Sequence, residues 1–93
     1  MNALDFIKKY GIENAIANIT DTSNGADIQI APEMIMKDLY DYIIAYQTVE
    51  WFGGVKQTQH FINGNQPLVD QNGATIQIDQ LKGMLEKVIE ING

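Results

Sequence analysis

Apolar residues recur at three- and four-residue spacing along most of the chain, and glycines and a proline punctuate them. Asn2 is an acceptable N-cap for a first helix, whose apolar stripe is Leu4, Phe6, Ile7 and Tyr10 and whose left-handed C-cap is Gly11. Lys8 and Lys9 fall in its last turn, where they complement the helix dipole. A short second helix carries Ile12, Ala15, Ile16 and Ile19, and residues 20–25 form a polar loop ending in Asn24-Gly25. Residues 27–31 alternate polar and apolar, with Ile28 and Ile30 on one face, as a short half-buried strand does. Pro32 fits the first position of a long helix that runs to Phe52 and stops at Gly53-Gly54. A short helix over residues 55–62 follows, then a turn at Asn63-Gly64-Asn65-Gln66-Pro67. Leu68-Val69 and residues 74–78 flank Asp70-Gln71-Asn72-Gly73, which reads as a hairpin loop. Asp79 caps a final helix with apolar residues Leu81, Met84, Leu85, Val88 and Ile89, weakened by Gly83 in its interior.

Part of this plan is written twice. Gly25-Ala26-Asp27-Ile28-Gln29-Ile30 returns as Gly73-Ala74-Thr75-Ile76-Gln77-Ile78, with five of six residues identical. Val49-Glu50-Trp51-Phe52-Gly53-Gly54-Val55 likewise resembles Phe6-Ile7-Lys8-Lys9-Tyr10-Gly11-Ile12: a helix end, a glycine stop and a β-branched residue. The repeating unit is helix, glycine, short helix, loop, strand, helix, over residues 3–49 and 49–93. The expected fold is α+β: residues 1–93 as one compact domain, with a small antiparallel sheet packed against several helices and an internal duplication. Each Ile-Gln-Ile strand alone leaves its backbone unpaired, so the two are expected as neighbours in one sheet.

Composition narrows the function classes. Of the 93 residues, 45% are hydrophobic and 19% charged, a globular balance. No apolar run reaches the roughly 18 residues of a membrane span, and residues 1–5 do not begin a secretion signal, so a cytoplasmic protein without membrane contact is expected. Asn18-Ile19-Thr20 is then a coincidental sequon. Cysteine is absent, which excludes disulfides and thiolate metal sites. Twelve acidic residues against six lysines, with no arginine, give a net charge of -6 and argue against direct nucleic-acid binding. The same charge suits a basic protein partner, or simply solubility.

Leu4-Asp5-Phe6-Ile7-Lys8-Lys9-Tyr10-Gly11-Ile12-Glu13-Asn14-Ala15 resembles the opening of small accessory proteins encoded in bacteriophage and prophage genomes. Residues 49–55 and 76–88 resemble later parts of the same pattern, so the likeness covers about half the chain in short pieces. It departs at His60 and at Lys56-Gln57-Thr58-Gln59, where the pattern carries more alanine. The resemblance implies a setting, a phage product acting on host machinery, and brings no catalytic motif.

Candidate chemistry is sparse. His60 is the single histidine, with no carboxylate at a ligand spacing and no hydroxyl on its helical face, so neither a metal site nor a nucleophile is expected there. Asp38 and Asp41 share a face of the long helix, but Lys37 and Thr48 lie on the same side and mark a solvated stripe. Asp70-Gln71-Asn72-Gly73 starts like a calcium loop but has Lys82-Gly83 in place of the closing glutamate. Gly53-Gly54 lacks the strand and the lysine of a phosphate loop. No catalytic residue, cofactor or metal is expected.

The long helix carries more information. Its apolar residues cover an arc of roughly 220°, where a surface helix facing one core needs about 100°. Such a helix is central, or packs partly on another chain. Tyr40, Ile44 and Trp51 lie along one rim of the arc, and aromatic residues concentrate in binding hot spots. With Asp38, Asp41 and Glu50 they form the candidate partner-binding set. The bland alternative has the aromatics covering the sheet. The expected function is a non-enzymatic protein-binding module, phage-derived, that binds or inhibits a host protein, in one version by mimicking nucleic-acid charge. The alternative is a structural or homodimeric accessory domain without a host target.

Overall fold

The computed structural model describes residues 1–20, 29–64, 68–70 and 72–93. Along them run α1 (Ala3–Tyr10), α2 (Ile12–Thr20), a 3-10 turn (Glu33–Ile35), α3 (Met36–Trp51), α4 (Val55–Gly64), β1 (Leu68–Val69), β2 (Thr75–Ile76) and α5 (Ile78–Asn92). The fold is α+β in the broad sense and dominated by helix. Two compact units divide the chain, Met1–Ile43 and Ile44–Gly93, and the division falls within α3.

In the first unit Asn2 caps α1 as expected, its Oδ1 accepting from Asp5 N–H at 2.8 Å. α1 buries Ala3, Phe6 and Ile7, and α2, which buries Ala15 and Ala17, packs on it. Gly11 ends α1 with φ 92°, and its carbonyl accepts the first bond of α2 from Ala15 N–H.

The strand expected at residues 27–31 is not found where the structure describes it. Residues 27 and 28 lie outside the described residues, and Gln29, Ile30 and Ala31 belong to no sheet. Side chains supply the missing partners. Asn14 Oδ1 accepts from Gln29 N–H at 3.0 Å, and Asn14 Nδ2 donates to Gln29 O at 3.1 Å. Asn18 Nδ2 donates to the same carbonyl at 2.8 Å, and Asn18 Oδ1 accepts from Ala31 N–H at 2.9 Å. Spaced one helical turn apart on α2, the two amides do for residues 29–31 what a neighbouring strand would.

The long helix also opens differently. Pro32 stands before a 3-10 turn, with Ile35 N–H bonded to Pro32 O, and regular α-helix begins only at Met36. A tightened first turn is a common helix entry. The wide apolar arc has a local cause. In the first unit the buried positions are Ile35, Leu39 and Ile43, four apart; in the second they are Ala45, Thr48, Val49 and Phe52, at the spacing of a helical stripe. One helix contributes to two cores in succession.

The second unit is built around the end of α3. Gly54 N–H bonds to Val49 O and Gly53 N–H to Glu50 O, the paired bonds of a Schellman stop. Both glycines have φ near +100°, a conformation that a Cβ opposes, so the stop requires glycine. Gly54 O in turn accepts from Thr58 N–H and starts α4, as Gly11 starts α2. α4 extends to Gly64, so Asn63 and Gly64 complete a helix rather than opening a turn; residues 65–67 lie outside the described residues.

The expected hairpin forms. β1 and β2 pair antiparallel, Leu68 opposite Ile76 and Val69 opposite Thr75. Asp70 closes it: its N–H bonds to Ala74 O, and its Oδ1 accepts from the N–H groups of Asn72 and Ala74 at 2.9 and 3.0 Å. Among the described residues β2 has β1 as its neighbour, so the pairing expected between the two Ile-Gln-Ile segments is absent there. The second segment also ends early. Gln77, not Asp79, is the N-cap of α5, with ψ 148°, and Ile78 is already helical. Asp79 sits in the first turn, where its charge favours the helix dipole. Ile76, Leu81, Leu85 and Val88 join Val49, Phe52 and Ile62 in one buried cluster. Each such side chain contributes about 1.5–3 kcal/mol of burial.

Candidate partner-binding surface

The six candidate residues all lie on α3, three in each unit. Asp38, Tyr40 and Asp41 belong to Met1–Ile43; Ile44, Glu50 and Trp51 belong to Ile44–Gly93. Asp38, Asp41 and Glu50 are exposed, and Ile44 is half-buried. Tyr40 is 49% and Trp51 56% exposed, so neither ring is buried core.

Trp51 is held in place while exposed. Its Nε1–H donates to Val69 O at 3.4 Å, a long bond that ties the indole to β1. In the ladder Asp70 and Leu68 face β2, so the Val69 carbonyl points away from it, toward the indole N–H. The Val69 side chain is 55% exposed as well, and the exposed Glu50 precedes Trp51 in the chain. The link between Trp51 and Val69 has no periodic signal in the sequence.

The stripe expected to be solvated is wetted only in its first half. Lys37, Asp38 and Asp41 are exposed, whereas Thr48 is 3% exposed. Thr48 falls at the i+3 position from Ala45 and the i+4 position before Phe52, within the stripe that the second unit buries. Burial changes face along the helix, and a single wheel averages over that change.

His60 is exposed on α4, with its ring centroid 6.2 Å from that of Phe61 and edge-on to it. In the same polar run Thr58 is fully buried, and its hydroxyl donates to Val49 O at 3.4 Å, the carbonyl that also receives Gly54 N–H. Thr58 therefore joins the start of α4 to the end of α3. Among the described residues no group of three or more histidine, cysteine or acidic side chains is placed to hold a metal ion, and no helix is long and apolar enough to cross a membrane. The Asn18 amide of the sequon is engaged with residues 29–31. Comparison of the chain with family models, curated proteins and solved structures yields no match.

Proposed function

We propose that this chain is a non-enzymatic protein-binding module, a phage-derived product that engages a basic host protein through α3. The observation that carries the reading is Trp51, more than half exposed and yet tethered to Val69 O. An aromatic anchor whose orientation is already fixed loses little conformational freedom on binding, and such anchors dominate interface energies. Tyr40 is a second exposed aromatic on the same helix, and Asp38, Asp41 and Glu50 supply exposed negative charge beside these rings. The net charge of -6 supports a basic target, and the resemblance to phage accessory proteins supplies the setting. In the charge-mimic version the acids occupy the target's nucleic-acid site. The recurrence of a helix, a glycine and a short helix in each unit supports an origin by internal duplication.

The test begins with capture from host lysate and continues by titrating the captured protein with variants. Trp51→Ala is expected to weaken binding by about 2 kcal/mol, with folding checked in parallel. Trp51→Phe keeps the apolar ring and is expected to weaken it less. Equal affinity of both variants and the parent, or a parent that forms a stable dimer through Trp51, overturns the reading in favour of a structural or homodimeric domain.

A further inference from the structure

The asparagine pair on α2 leaves one edge of residues 29–31 open. In an extended strand the N–H and C=O of one residue point to the same side, and those of the next residue to the other. Gln29 N–H and C=O and Ala31 N–H all face Asn14 and Asn18. Ala31 precedes a proline, which disfavours helical backbone at it, and Pro32 continues with φ -57° and ψ 141°. Alternation sends Ile30 N–H and C=O to the opposite edge, and among the described residues neither has a hydrogen-bond partner. The Ile30 side chain is 75% exposed and Met34 86%. Met34 also lines, with Pro32 and Glu33 among the described residues, a shallow depression that is widely open to solvent. A free backbone pair and flanking apolar side chains are the components of strand addition.

We propose that the Ile30 edge is a second binding site, at which an extended, lysine-bearing segment of another protein adds as a strand. Charge selects the occupant. Between Met1 and Ile43 seven acidic residues face three lysines, so a second copy of this chain brings repulsion whereas a cationic strand brings attraction. Glu33 is exposed at the depression and is the nearest carboxylate in sequence that the structure describes. The Asn14 and Asn18 amides hold the receiving edge extended before any partner arrives. This site is independent of the Trp51 surface, and either stands if the other fails.

The test uses the isotopically labelled full chain and a capped hexapeptide of alternating valine and lysine. Saturable NMR shifts centred on the Ile30 and Met34 amides are expected. N-methylation of the peptide's edge amides, and replacement of its lysines by glutamate, should each weaken binding by about tenfold or more. Ile30→Pro removes the outward N–H while φ stays compatible with extended backbone, and should abolish those shifts. Slow hydrogen exchange at Gln29 and Ala31 reports whether the asparagine contacts survive in that variant; if they do not, the N-methylated peptide decides. Absent or dispersed shifts, or equal binding of the N-methylated peptide, overturns the proposal. So does a shift of Ile30 with protein concentration alone, which makes a second copy the occupant.

Discussion

At residue scale, Asn18, a polar residue on a short helix, joins α2 to residues 29–31. Its amide serves Gln29 O and Ala31 N–H together, and Asn18 Nδ2 also reaches Asn14 O at 3.0 Å. Asn18→Ala strands a partly buried N–H and is expected to lower stability by about 1–2 kcal/mol. Urea titration checks the loss, and hydrogen exchange should quicken first at Ala31. Thr58→Val is a cleaner case of the same physics. It preserves volume in a fully buried site and removes one hydroxyl, while Val49 O keeps Gly54 N–H, so a loss of about 1 kcal/mol is expected on the same titration. His60→Ala should do little. The ring is exposed, so stability should move by no more than about 0.5 kcal/mol, and binding to a partner should stay within a few-fold of the parent.

Elements in this chain are delimited by glycines with different tasks. Gly53 has φ +103°, and a Cβ there comes within 3.1 Å of the Gln57 side chain. Gly53→Ala is expected to destabilise by about 1–2 kcal/mol, chiefly through backbone strain, since Gln57 can move. Gly83 stands inside α5 with open space around the position of its Cβ. Gly83→Ala should therefore stabilise by about 0.8–1 kcal/mol. Thermal denaturation of the two variants gives shifts of opposite sign if these assignments hold; shifts of equal sign refute them. The hairpin is the other element whose chemistry is local. Asp70 both opens and closes the turn, so its ladder is short and still well defined.

For the whole molecule, the open issue is how charge is used. Asp38 and Asp41 are exposed and touch neither core, so Asp38→Asn with Asp41→Asn should leave the unfolding midpoint unchanged. If the partner is a nucleic-acid-binding protein, the double change should slow association, and added salt should weaken the parent complex in the same direction. Unchanged affinity together with a salt-independent parent complex eliminates charge mimicry and leaves apolar docking through Tyr40 and Trp51. Stopped-flow association at two ionic strengths separates these outcomes.

Local rules in the sequence were sufficient for the Asn2 cap, the Gly53-Gly54 stop, the hairpin at Asp70 and the apolar stripe Leu81, Leu85 and Val88, because each depends on neighbours within a few residues. The candidate residues Tyr40 and Trp51 were legible as the rim of an apolar arc, and their exposure was not. Repetition misled at Gln29-Ile30, the described part of the first segment, and at Ile76-Gln77-Ile78. Near-identical strings suggested a shared sheet, yet Gln29 pairs with asparagine side chains on α2 and Gln77 caps α5. A strand's partner is chosen by whichever polar groups the folded chain brings beside it, and residues 14 and 29 meet only through tertiary structure. The same holds for Thr48, buried because α3 serves a second core along its length, and for Trp51, whose tether to Val69 O lies across a turn and a helix in the chain. Short-range sterics and periodicity determined the elements; which backbone groups and which helix faces found partners was decided by packing at a distance.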